Sequence, residues 1–406
     1  MITDFKLIFK TFPITLWCVL TAIFINQVGM AAFPFLLLYL TKSIGLSLAK
    51  ASTAYIAYGI SLISISVFGG VIIDYFGAHR IQTLSLFGNG LVLLFYPVMH
   101  TYVSILVMSW LWGLSTGLYR PASQTIISFL APTGMQKIAF SMQRFANNLG
   151  MSIAPLIGAY LAEKHFALIF NLNGLFSLLA SVMVLTLFFF TPLGEKSTPL
   201  KNKVHYSLLS VLKQDRPLCL FLLALVPIMM VFFQHESTLA IFLNTTLGLP
   251  LKLYGTLFTI NTVLIICFEL MLNIHTQHWS HYTCILIGAA LITIGFGGYL
   301  FVHCYWQVVL MTIVWTIGEM FILPASNTYV AERASREKRG TYLALYSLVF
   351  NLGILLGPYS GAMIIHYCGT YRVWWMCGIL GLFASIFMFF LFRWDSTKYK
   401  EAIPTI

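Results

Sequence analysis

Five charged side chains stand inside long apolar stretches of this chain: Arg120, Arg144, Glu236, Glu269 and Glu319. Each is costly against hydrocarbon, so each is expected to face a partner, water or an internal cavity. A carboxyl in an apolar cavity can pass between its acid and ionised forms, which makes Glu319, Glu236 and Glu269 candidates to carry a proton; a structural ion pair is the other reading. Arg120 and Arg144 keep their charge and suit either an anionic substrate or bonds to helix ends and to Asp74. His235 adjoins Glu236 and can share its proton, although adjacent helical residues point about 100° apart. Asn26 and Gln27, polar residues of the first apolar stretch, join Trp112, Tyr119 and Trp315 as candidates to contact a substrate. The aromatics, with Trp110 and Phe321, serve equally as interhelical or lipid-facing filler in a chain that is 16% Phe, Trp and Tyr.

These groups must be positioned by membrane spans. With 59% hydrophobic and 9% charged residues over 406 positions, the chain lacks the polar surface of a soluble domain of its size. Twelve apolar runs, each long enough to cross about 30 Å of hydrocarbon as a helix, cover 14–40, 51–73, 81–99, 103–130, 138–162, 166–191, 217–244, 252–274, 282–302, 305–330, 340–364 and 371–393. The first run exceeds a signal-peptide core and reads as a retained span. On these spans Arg120 and Arg144 lie on the order of 10–15 Å from the cytoplasmic ends, at 1.5 Å per residue. Glu319 is at a similar depth, Glu269 is shallower, and Glu236 lies beyond the midplane.

Orientation comes from the 23 Lys and Arg. A cytoplasmic N-terminus puts sixteen on the inner side, among them Lys6, Lys10, Arg80, Lys137, Lys203, Lys338 and Arg393. Five, Lys42, Lys50, Lys164, Lys252 and Arg372, fall outside. That bias predicts both termini inside. The net charge of +11 is then a topology signal, with attraction to anionic lipid second, and it does not point to nucleic acid. The seven cysteines lack paired spacing and are expected as free thiols. His275, His278 and His281 recur every third residue, but no neighbouring Cys or carboxylate completes a metal site, and a headgroup-facing loop is the better reading. There is no phosphate-binding loop, no assembled nucleophile and base, and hence no support for an enzyme or a cofactor.

The chain repeats itself. At an offset of 203, Trp112 meets Trp315, Pro121-Ala122-Ser123 meets Pro324-Ala325-Ser326, and Asn148-Leu149-Gly150 meets Asn351-Leu352-Gly353, with twelve identities between 112 and 159. Unrelated segments would share about 1 in 15, so a duplicated half is read. The predicted division is an N-terminal bundle over 1–191, a polar cytoplasmic linker over 192–216, and a C-terminal bundle with a short tail over 217–406. The charged intramembrane residues break the repeat: Arg120 faces Leu323, Arg144 faces Ser347, Glu319 faces Thr116, Glu269 faces Ser66 and Glu236 faces Phe33. Packing should persist in both copies, whereas chemistry needed once should appear once.

Two motifs carry a family resemblance. Gly70-x-x-x-Asp74-x-x-Gly77 followed by Arg80 resembles the signature loop of the major facilitator superfamily, with Ala78 and His79 standing where that family has more basic residues. Gly150-x-x-x-Ala154-Pro155-x-x-Gly158 resembles its antiporter signature, with Ala154 in place of glycine, and Gly353-x-x-x-Gly357-Pro358-x-x-Gly361 is the second copy. Small residues four apart allow close helix contact and proline kinks the span, as a gate requires; ordinary tight packing is the plainer reading. Gly318-Glu319 before Pro324, and the charged loop from Glu332 to Arg339, resemble the twelve-span drug:proton antiporter branch.

The resemblance implies an all-α membrane protein of twelve transmembrane helices in two pseudo-symmetric six-helix bundles. It implies a monomer in a bacterial inner membrane, with a small-molecule substrate near the midplane and transport by alternating access. Proton-coupled export of a small amphipathic compound is the expected work. Transport of an organic anion such as a metabolite or siderophore, and a non-transporting receptor on a carrier scaffold, are the alternatives.

Overall fold

The computed structural model describes residues 11–190 and 211–401 apart from 212, 237 and 251. Lys203 and most of the proposed linker lie outside them. The helices of the first half are α1 (Ile14–Gly29), α2 (Ala32–Leu38), α3 (Leu48–Phe76), α4 (Ala78–Phe95), α5 (Tyr102–Leu130), α6 (Gln136–Lys164) and α7 (Phe166–Phe190). Those of the second are α8 (Arg216–Phe232), α9 (Thr238–Ile241), α10 (Lys252–Leu264), α11 (Leu270–His275), α12 (His281–Gly298), α13 (Tyr305–Arg333), α14 (Arg339–Cys368) and α15 (Tyr371–Glu401). Among the described residues, ten helical segments are long and apolar enough to span a membrane, and Ile14–Gly29 is a shorter apolar helix. With α6, the least apolar of the long helices, they are consistent with twelve spans.

The offset of 203 governs the elements as well as the identities. Helix α4 maps onto α12 residue for residue, α5 onto α13, and the 3₁₀ turn Tyr96–Val98 onto Tyr299–Phe301. The π-helical turns Tyr39–Ser43 and Phe242–Thr246 also coincide. Local chemistry marks individual starts and bends. Thr101 accepts the Ser104 amide at the start of α5, and Ser280 accepts the Thr283 amide at the start of α12. Pro121 and Pro324 stand inside α5 and α13, and in each copy a threonine four residues on, Thr125 or Thr328, bonds back to the proline carbonyl at 2.7 or 2.8 Å.

One π turn of the second half has no counterpart in the first. The π-helical turn Ile265–Glu269 interrupts the run from α10 to α11, while the matching stretch of α3 is regular helix. Such a turn inserts a residue into the helical ladder and rotates the downstream residues about the helix axis. This one buries Glu269.

By their contacts the residues form two compact units, Met1–Leu208 with Ala331–Ser347, and Leu209–Val330 with Leu348–Ile406. The first unit is built around Tyr39, Tyr58, Tyr96, Trp112 and Phe170, with Tyr96 and Phe170 stacked at 5.1 Å. In the second, Phe296, Tyr299, Trp315 and Trp374 form the equivalent aromatic interior.

Candidate functional site

Glu319 sits mid-way along α13 and is 7% exposed. Its Oε2 accepts a hydrogen bond from Asn261 Nδ2 on α10 at 3.0 Å, and the same amide nitrogen donates to Thr316 Oγ1 at 3.0 Å. Thr316 spends its own proton on the Thr312 carbonyl at 2.7 Å, so it can only accept from Asn261. On α11, Asn273 Nδ2 donates to the Met320 carbonyl at 3.2 Å and to the Glu269 carbonyl at 2.9 Å. Met320 is the residue whose helical donor Pro324 removes, so Asn273 satisfies a carbonyl that the proline leaves open. Beside Glu319, Gly318 lets α12 come so close that a Cβ there would lie 2.8 Å from the Gly288 carbonyl oxygen. A carboxyl is thus held in the apolar interior by an amide from a neighbouring helix, on a span that carries an internal proline and is closely packed.

One turn before Glu319 on the same face, Trp315 is buried, donating Nε1–H to Tyr299 Oη at 2.9 Å. The His235 ring lies 5.4 Å from it and 4.8 and 5.5 Å from Phe232 and Phe258. Its Nδ1 is 2.6 Å from the Phe232 carbonyl, which can only accept; the neutral ring is therefore protonated at Nδ1, leaving Nε2 as the basic atom. Glu236 next to it is exposed, and its carbonyl, like that of His235, accepts from Tyr254 Oη. The three carboxylates are therefore differently placed: Glu319 on an amide from α10, Glu269 buried in the π turn, Glu236 at the end of the 3₁₀ turn Phe233–Glu236.

In the first unit Arg120 and Arg144 are half-buried on α5 and α6 and interact electrostatically with each other and with the buried Tyr346. Nearby in sequence, Ser347 Oγ donates to Gln124 Oε1 at 3.0 Å. Asn26 is tied into the bundle, its Oδ1 accepting from Ser177 Oγ at 2.9 Å while Ser177 accepts from Asn89 at 2.8 Å. Gln27 is buried against Gly150, Tyr119 packs on the cluster of Ala22, Leu86, Ala180 and Val184, and Trp112 packs separately against Tyr58, Tyr96 and Phe170. Trp112 and Trp315 are thus aromatic core of their own units, whereas Trp110 is exposed.

The signature loop is assembled within the first unit. Asp74 Oδ1 accepts the Gly340 amide at 2.7 Å, and Oδ2 accepts the Thr341 amide at 2.8 Å and its hydroxyl. These are the amides that the start of α14 leaves open, at the positive end of its dipole. Gly70 makes the approach possible: a Cβ there would lie 2.5 Å from Thr341 Cα. Gly77, at φ 91°, ends α3 and starts α4 in one residue, and Arg80 is exposed. Arg339 reaches the Ser128 carbonyl at 3.3 Å and lies over the Phe129 ring.

The repeated seams also pack as pairs. A Cβ on Gly150 would lie 2.5 Å from Gln27 Cβ, and one on Gly353 2.5 Å from Met229 Cβ. Gly158 sits against Ala31 and Phe35, and Gly361 against Gln234 and Thr238, which are the same pair of positions moved by 203. From the 3₁₀ turn Phe233–Glu236, Gln234 Nε2 donates to the Gly357 carbonyl at 2.7 Å, next to Pro358. Pro155 stands in α6, and its side chain lies outside the described residues.

Sequence reasoning passed over Asn261, Asn273 and Gln234. At the 203 offset they face Tyr58, Gly70 and Ala31, so the rule that singled out the charges, applied to amides, would have found them.

The sequence profile described as Major Facilitator Superfamily matches residues 19–314 and 237–405. The uncharacterized MFS-type transporter YqjV of Bacillus subtilis is 25% identical over 402 residues, covering 96% of this chain and 97% of that one. A Na(+), Li(+), K(+)/H(+) antiporter of Planococcus maritimus is 23% identical, covering 93% and 94%. The quinolone resistance protein NorA of Staphylococcus aureus is 22% identical, covering 83% and 86%. Among solved structures, a bacterial homologue of the iron transporter ferroportin in its outward-facing state has a TM-score of 0.79 at 14% identity, covering 93% of this chain and 99% of that one. Matched across both repeats, built of apolar spans and carrying the Asp74 loop, the chain belongs to the Major Facilitator Superfamily, whose members are transporters rather than enzymes.

Proposed function

We propose that the protein is a proton-coupled secondary transporter that exports a small amphipathic compound by alternating access, with Glu319 as the group that takes up and releases the proton. One observation carries the assignment: a carboxylate 7% exposed in the middle of a membrane-length helix, held by an amide of the neighbouring helix, at a position where the repeat has a threonine. A buried carboxyl kept in hydrocarbon at such cost is a functional group by default. The relatives that bear the names of a cation/proton antiporter and a quinolone resistance protein support the reading. In proteoliposomes with an imposed pH gradient, wild type is expected to move a lipophilic cation such as ethidium. Glu319→Gln is expected to lose gradient-driven movement and to keep ethidium exchange, because the amide stands in for the protonated acid. Gradient-driven transport by Glu319→Gln at the wild-type rate would remove Glu319 from the role.

A second reading is transport of an organic anion. What favours it is the arginine pair of the first unit, Arg120 and Arg144, gathered with the buried Tyr346. Two cations held together form a site for carboxylate or phosphate groups.

A further inference from the structure

The contact between α10 and α13 at Glu319 has a twin in the first unit. There Tyr58, the counterpart of Asn261, faces Thr116, the counterpart of Glu319, whose hydroxyl donates to the Trp112 carbonyl at 3.0 Å. Duplication has kept a polar pair at this level and changed its chemistry, from two hydroxyls to an amide and a carboxylate. We infer that Asn261 is the positioning residue that sets the proton affinity of Glu319 and passes its protonation on to the packing of α10 against α13. The inference rests on Glu319 as the proton-carrying group.

The hydrogen-bond pattern fixes how Asn261 acts. Thr316 Oγ1 has its proton on Thr312, so the atom of Asn261 that faces it must be the amide nitrogen. Both contacts of that nitrogen are spent on holding α13, one on Thr316 and one on Glu319 Oε2. An N–H aimed at a carboxylate favours its ionised form. When Glu319 takes a proton, the same bond becomes a neutral one of about half the strength. The bond from Asn273 to the Met320 carbonyl does not depend on charge. Proton uptake therefore loosens α10 from α13 at Asn261 while α11 stays attached at Asn273.

The titratable groups on the surrounding elements are Glu269 in the π turn after α10, Tyr299 and His235 against Trp315, and Tyr254 on α10 bonded to the His235 carbonyl. None of them makes the bond between Asn261 and Glu319, so a change confined to Asn261 reports on that bond.

The test uses the purified full chain in lipid nanodiscs. An infrared pH titration follows the carboxyl band that disappears in Glu319→Gln, and ethidium efflux from proteoliposomes is measured against pH in parallel. Asn261→Leu, close in volume and without a donor, is expected to move the midpoint of that band, and of efflux, about 1 pH unit or more toward alkaline. Asn261→Asp is expected to move it further, since two carboxylates then share the site. Asn261→Gln, which keeps an amide, is expected to recover part of the shift. If Asn261→Asp does not accumulate, the uncharged Asn261→Leu carries the test by itself. A wild-type band midpoint in Asn261→Leu, whatever its yield or thermal stability, would overturn the inference. Full gradient-driven efflux by Glu319→Gln would instead sink the carrier assignment, and the infrared titration would still read what Asn261 does to Glu319.

Discussion

Residue 319 holds a carboxylate where its duplicate position holds a threonine hydroxyl, and residues 120 and 144 hold guanidinium groups where their duplicates are leucine and serine. The two competing substrates separate at these residues. For an organic anion, Arg120→Gln and Arg144→Gln should each weaken binding by about 1.5–3 kcal/mol, the worth of a charge-assisted hydrogen bond, readable by equilibrium binding of a labelled carboxylate. For a lipophilic cation, both variants should bind as wild type. Glu236 is expected to matter less than Glu319: it is exposed at the end of a 3₁₀ turn, so Glu236→Gln should leave gradient-driven efflux largely intact. The charges were legible in the sequence because an ionisable residue among apolar ones announces its cost. Asn261 was legible only in part: facing Tyr58 at the 203 offset it breaks the repeat, but an amide among apolar residues is common and its partner on another helix is what gives it meaning.

At the scale of elements, duplication predicts more than identity does. Gly90 lets Leu178 pack against α4, while at the matching contact Thr293 fills the space and Gly381 gives way. The same cavity is filled from opposite sides, which no position-by-position comparison reveals. Two seam pairs, Gly150 with Gly353 and Gly158 with Gly361, obey the stricter rule of keeping the same residue in both copies, while Ala154 faces Gly357. Gly353→Ala should place a Cβ 2.5 Å from Met229 Cβ and cost about 1–3 kcal/mol as overpacking. Gly255→Ala, with nothing within 4 Å of the new carbon, should be neutral or mildly stabilising. Thermal unfolding of the two variants in one detergent checks the contrast. Asp74→Ala should uncap α14 at Gly340 and Thr341 and cost about 0.5–2 kcal/mol by the same measurement. Span positions were readable from apolar runs to within a few residues. The π turn at Ile265–Glu269 was not, because nothing in its composition differs from ordinary helix.

For the whole molecule, the charge bias sets a direction for everything else: Lys338 is expected on the cytoplasmic side and Lys50 and Arg372 outside. Single cysteines at these positions, in a chain freed of its seven native ones, should label from outside at 50 and 372 and be protected at 338. Transport by a proton-coupled antiporter then has a signature that no binding protein or uncoupled carrier shares, a flow of protons opposite to substrate. The direct measurement is the internal pH of tightly sealed proteoliposomes, loaded with a pH-sensitive dye and started without a pH gradient, when ethidium is added outside at zero membrane potential. The account predicts that ethidium entry through wild type drives protons out and makes the interior alkaline, with no such change in Glu319→Gln. Ethidium entry through wild type at constant internal pH would contradict it.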